Sequence, residues 1–138
     1  KVPQDKKGQE QYCKHFYQDE LDALWQQNPD NIALLITEPY LGAKGSFHPP
    51  KWYHQLLNAW CEAHHVTFIL DEVQACYGRT GEMYAYQKYG IQPDLVVLGK
   101  GVGNGEPVAV TVGQPTAGIA QGRGPGSGGK GRSVQSWK

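Results

Sequence analysis

The chain has 138 residues, with 13 Lys+Arg against 13 Asp+Glu for a formal net charge of +0, and 39% of its residues are hydrophobic. This length sets an expectation of one domain. The even charge excludes a nucleic-acid or membrane-surface protein held by bulk electrostatics. No apolar run approaches the roughly 18–20 residues of a membrane span, and no basic stretch leads into an apolar leader. Three cysteines (Cys13, Cys61, Cys76) are too few and odd in number for a disulfide scaffold. A reducing, cytoplasmic setting is therefore expected. The chain opens on Lys1 without an initiator Met, which reads as an excerpt or a processed product.

Composition divides the chain at about Gly113. Residues 114–138 hold seven Gly, two Pro, four Lys/Arg and no acid, with no hydrophobic period. They read as a disordered Gly/Arg-rich tail, or one foreign to the fold. The tail carries +4, which leaves −4 on residues 1–113.

Residues 1–113 read as α/β. Asp19 is placed to cap a short helix with Leu21, Leu24 and Trp25 on one face. Asn28-Pro29-Asp30-Asn31 is a turn. Ile32 to Thr37 is a short continuous apolar run, the pattern of a buried parallel strand, and Glu38-Pro39 ends it. Pro49-Pro50 opens a helix whose Trp52, Leu56, Leu57, Trp60 and Ala63 share a face. Val66 to Leu70 is a second strand, ended by Asp71. Met83 to Tyr89 is a short helix closed by Gly90. Leu95 to Leu98 is a third strand with Gly99-Lys100 at its end, and Val108 to Val112 a fourth. Strands alternating with helices predict a mostly parallel sheet flanked by helices.

Glu38, Asp71 and Lys100 thus fall at strand ends, and ligands of open α/β sheets bind outside the carboxyl ends of the strands. Taken alone, Asp71 is equally an N-cap or an ion-pair partner, and Lys100 a side chain snorkelling at the sheet edge. In neighbouring strands, about 4.8 Å apart, they would set an anion and an amine in one crevice. A desolvated lysine attacks carbonyls, and an acid can hold a proton on a basic nitrogen. Pyridoxal 5'-phosphate combines those two targets, an aldehyde for a lysine Schiff base and a pyridinium nitrogen for the acid.

Three blocks then carry a family resemblance: TEPYLGAKGSFHPP (Thr37 to Pro50), FILDEVQACYGRTG (Phe68 to Gly81) and PDLVVLGKGVGNGEPVAVTVG (Pro93 to Gly113). Together they resemble the class III aminotransferases, pyridoxal-phosphate enzymes of fold type I, over about 80 of the 138 residues. The resemblance implies that Lys100 is the Schiff-base lysine and proton shuttle, and Asp71 the pyridinium partner. It implies that Val73 packs on the ring, that Gln74 lies near the ring's phenolic oxygen, and that Glu38 supports the site. It also implies a homodimer with the site at the subunit interface, an amino donor and a 2-oxo acid acceptor. Mutases, racemases and decarboxylases of the same family share these motifs.

The sequence departs from the family pattern at several points. Ala43 stands where many members carry an acid that helps switch an arginine between substrates, which disfavours an ornithine- or 4-aminobutyrate-type substrate. Ala75-Cys76 replaces a small polar residue and a glycine. The family's upstream phosphate loop, ring-stacking aromatic and C-terminal domain have no counterpart here. The expectation is a partial large domain over 1–113, truncated or frame-shifted beyond it, and poorly soluble or molten in isolation; the alternative reading is an inactive fragment.

Other motifs fare worse. Phe68 to Glu72 has the form of a Walker B strand, but the only G-x-x-x-x-G-K spacing (Gly124 to Lys130) lies downstream, in the tail and without a preceding strand. Gly99 to Gly105 does not fit G-x-G-x-x-G. Cys61, His64 and His65 have zinc-like spacing without an evident fourth ligand, so no metal site is expected. Arg79, in GRTG, reads as a turn brace.

Overall fold

The computed structural model describes residues 3–29 and 31–113, so the expected tail at 114–138 lies outside the described residues. Helix α1 (Lys6–Gln27) is followed by β1 (Leu34–Thr37), α2 (Lys51–His64), β2 (Thr67–Asp71), α3 (Ala85–Tyr89), β3 (Leu95–Leu98) and β4 (Val110–Gly113). The four strands form one sheet in the order β1-β2-β3-β4. The first three run parallel and β4 returns antiparallel to β3.

The helix placed after Asp19 is instead the C-terminal part of a 22-residue helix. Its cap is Asp5, whose carboxylate accepts from the Gly8 N–H at 2.8 Å. Asp19 is a mid-helix residue. α1 buries none of its residues fully. Leu21 and Trp25 pack on the core while Leu24 stays exposed. With so weak an apolar stripe, the N-terminal half has no periodic signal to find. The helix is tied to α2 by polar and aromatic contacts. Trp60 Nε1 donates to Asp22 at 3.0 Å, and Trp25 meets Trp60 edge-on at 6.0 Å.

α2 presents His54, Leu57, Trp60 and Cys61 to the core. The face is rotated from the expected one: Ala63 is exposed, and His54, a polar residue absent from any hydrophobic count, is fully buried. Burial pushes the Cys61 thiol up to about 12, with Asp94 adding to the rise. Pro50 is the N-cap, one position before the first helical residue.

β2 is central, with Phe68 and Leu70 buried and their neighbours half-exposed. β1 is an edge strand, not the fully buried strand expected. Leu34 and Ile36 are 49% and 54% exposed, while Leu35, which faces the other way, packs on the core. β4 begins two residues later than expected and ends at Gly113. β1 and β2 are each offset from the expected bounds, and α3 is two residues shorter at its start, since Met83 and Tyr84 belong to the preceding turn. Gly90 closes α3 in the left-handed region, φ 62°.

Glu72, next to Asp71, is fully buried and turns away from the sheet edge. Its carboxylate accepts from the Ala85 N–H at 2.7 Å and the Tyr86 N–H at 2.8 Å, the first amides of α3. Burial raises its pKa above the ordinary 4.5, and the two N–H donors pull it partly back. Its contribution to stability is therefore complete below pH 4.5 and is lost as pH rises through the raised folded value. Glu72→Ala leaves two buried N–H groups unpartnered, at about 1–3 kcal/mol each. A fall in denaturation midpoint with loss of α3 amide protection is expected, and protection equal to wild type would contradict the assignment.

Candidate active site

The carboxyl ends of β1, β2 and β3 open into a cleft of about 390 Å³ lined by Glu38, Gly42, Ala43, Asp71, Val73, Gln74 and Lys100. All five site residues expected from the sequence line this one cleft.

Asp71 is the last residue of β2 and pairs with Val97 of β3. The next amide continues the ladder, Glu72 N–H donating to the Val97 carbonyl at 2.8 Å. Asp71 is thus fixed at the sheet edge while Glu72 points into the core. One Asp71 oxygen accepts from the Val73 N–H at 3.0 Å, a local turn that orients the carboxylate. Val73 in turn packs against the backbone before Lys100. A Cβ on Gly99 would come within 3.1 Å of a Val73 methyl.

Gly99 follows β3 directly. It is extended, φ −163°, and its value is the room it leaves for Val73. The left-handed backbone belongs to Lys100 itself, φ 46°, which opens a 3-10 turn over Lys100–Gly103. A non-glycine residue held there costs of order 1–3 kcal/mol. Tyr77, also left-handed at φ 58°, lays its ring beside Gly101, where a Cβ would sit 3.3 Å from the ring. Gly99 and Gly101 therefore answer to close packing within the chain, whereas Gly105, at φ 104° with open space around it, answers to its left-handed backbone.

Lys100 is exposed, so the desolvation expected of it is not supplied by the described residues. It makes no ion pair with Asp71 or Glu38; the one salt bridge among the described residues joins Lys14 to Glu10. Glu38 is half-buried, and its carboxylate accepts from the Gly42 N–H at 3.3 Å. Gln74 is held through its backbone carbonyl, which accepts from the Tyr40 hydroxyl at 3.3 Å.

Sequence reasoning missed His54 behind this wall. Its Nε2 lies 2.9 Å from the Pro39 carbonyl. A carbonyl only accepts, so Nε2 carries the proton. Nδ1 is buried without a partner. Burial holds the imidazole below its ordinary 6.5, against the raising effect of the Pro39 carbonyl. Its contribution to stability is present above pH 6.5 and is lost as pH falls through the lowered folded value. In a proton NMR titration His54 should show a midpoint below 6.5; a midpoint above it would refute a buried neutral ring. The zinc-like trio does not converge. Cys61 is in the core, His64 stacks on Trp60 at 4.4 Å, and His65 ends α2 in the left-handed region. Cys76 is buried with its sulfur 3.9 Å from the Gly99 carbonyl.

A mostly parallel α/β sheet with an acid and a lysine on adjacent strand ends places the chain in the fold type I class of pyridoxal-phosphate transferases. The family profile described as aminotransferase class-III matches residues 1–131. A putrescine aminotransferase of Pectobacterium atrosepticum is 42% identical over 88 residues, 63% of this chain and 19% of the relative. A succinylornithine transaminase of Photorhabdus laumondii is 34% identical over 108 residues, 78% of this chain and 27% of the relative. Among solved structures, the ornithine delta-aminotransferase of Plasmodium falciparum superposes with a TM-score of 0.59 at 34% identity, covering 67% of this chain and 24% of that one. The chain belongs to the class III aminotransferase family, whose members depend on pyridoxal phosphate. It spans about a fifth to a quarter of the length of these relatives. Among the described residues no helix is long and apolar enough to cross a membrane.

Proposed function

We propose that the chain forms the cofactor-holding part of a pyridoxal-phosphate-dependent aminotransferase that moves an amino group from an amine or amino acid to a 2-oxo acid. The observation that carries this reading is one cleft that brings an amine, Lys100, and an acid, Asp71, to the ends of adjacent parallel strands. The donor set suits the cofactor: an amine for its aldehyde, a carboxylate for its ring nitrogen, an amide in Gln74 for its ring oxygen, and an apolar surface in Val73. When bound, the cofactor supplies an electron sink for carbanion character at the substrate α-carbon.

The residues' tasks follow from their positions. Lys100 binds the cofactor and then carries a proton to and from the substrate α-carbon. Asp71, held by the Val73 amide, keeps a proton on the ring nitrogen. Val73 orients the ring face, and Glu38, bonded to the Gly42 amide, stiffens the cleft wall. Two copies of the longer protein would complete the site, in a cytoplasmic setting.

The test follows isotope. A 15N-labelled amino donor and a 2-oxo acid are supplied with pyridoxal phosphate, and the products are resolved. Label in the new amino acid is expected. Carbon dioxide release, donor racemisation or an internally rearranged donor would replace transfer with one of the sister reactions. No cofactor-dependent product from any assembly containing the chain would remove the enzymatic reading.

A further inference from the structure

Gly42 opens the 3-10 turn over Gly42–Lys44 at the cleft wall. Its φ is not positive, unlike that of Gly45 in the same turn. A backbone of this kind accepts any residue, so the absence of a side chain answers to space. That space is occupied: a Cβ built on Gly42 would overlap Gln74 Oε1 outright and lie 2.6 Å from Gln74 Cδ. The Gln74 amide therefore runs directly over the Gly42 Cα. The Gly42 N–H meanwhile donates to Glu38. A single residue thus anchors one cleft side chain and seats another.

We propose that Gly42 is a positioning residue: the slot left by its missing Cβ seats the Gln74 amide in the cleft, aimed at the cofactor. The proposal rests on the functional reading above for what Gln74 contacts. The steric claim stands apart from that reading. Overlap falls on the far end of a flexible side chain, so an added methyl is relieved by swinging Gln74 out. Gly42→Ala should therefore keep the fold and lose the amide from the cleft, which makes it resemble Gln74→Ala.

Four proteins decide the matter: wild type, Gly42→Ala, Gln74→Ala and the double variant. The first readout is affinity for pyridoxal phosphate. Each single variant should weaken it about tenfold, the scale of one net hydrogen bond. The double variant should be no weaker than Gln74→Ala, because the methyl then meets nothing. Losses that multiply would show independent roles and overturn the proposal. The second readout is the 15N–1H signal of the Gln74 side-chain amide, assigned by its loss in Gln74→Ala. It should move in Gly42→Ala; an unmoved signal overturns the proposal. This readout needs no cofactor, so the slot is decided even where the wild-type chain alone binds no pyridoxal phosphate, and the functional reading stands or falls separately, on the amino-transfer test. Should Gly42→Ala fail to fold, a folded double variant supports the slot. An unfolded one shows a backbone requirement and overturns it.

Discussion

Lys100→Ala should abolish site-selective attachment of pyridoxal phosphate. In the wild-type chain, borohydride reduction after incubation with the cofactor should fix it mainly on Lys100, located by mass spectrometry of the digest. Other lysines, such as Lys6, Lys7, Lys44, Lys51 and Lys88, are also available for random adducts. Among the described lysines only Lys100 shares a cleft with Asp71, Val73 and Gln74, so there ring binding raises the effective concentration of the aldehyde. In any active assembly containing the chain, the same substitution should remove turnover altogether, because it deletes both the attachment point and the α-carbon proton carrier. Scattered labelling that Lys100→Ala leaves unchanged would place the competent site in the longer assembly. Retained turnover would exclude the role.

Asp71→Asn has the next largest expected effect. The substitution preserves the size of the side chain and its acceptor for the Val73 N–H, so the turn at the end of β2 survives. What goes is the charge. A carboxylate about 4 Å from a protonated ring nitrogen, at an effective dielectric near 20, is worth about 4 kcal/mol. At about 1.4 kcal/mol per decade, the loss amounts to about a thousandfold in rate if it falls wholly on the barrier. The measurement is the rate of amino transfer at saturating cofactor, alongside the pH dependence of the cofactor's absorption band. An unchanged rate would remove the argument for Asp71 as the ring's proton holder.

The parts of this fold that could be read from sequence are those with a strong periodic or terminal signal. The apolar runs behind Thr37, Asp71 and Lys100 placed three strands and put three candidate site side chains, Glu38, Asp71 and Lys100, at their ends. The same runs did not show how much of each strand is covered. Leu34 and Ile36 look like core and are open, since hydrophobicity records a tendency to be buried and not which partner does the burying. α1 was largely invisible because polar contacts such as Asp22 with Trp60 hold it, and these leave no spacing. His54, Glu72 and Gly42 were missed for a related reason. Each acts through one tertiary partner, the Pro39 carbonyl, the α3 amides or the Gln74 amide, and such partners are far apart along the chain. The one available clue was the adjacent pair Asp71-Glu72. Neighbours on a strand face opposite ways, so two consecutive acids cannot both serve the same cleft.

The turn at Lys100 has a consequence for how this segment would change under selection. The residue that holds the amine also bears a left-handed backbone, which glycine adopts without penalty. Lys100→Gly should thus leave a more stable loop and no chemistry. A library of variants sorted only for thermal resistance should drift towards glycine or asparagine at this position, whereas one sorted for amino transfer should keep lysine. The position would reveal, from the residue it settles on, whether folding or catalysis had been the criterion.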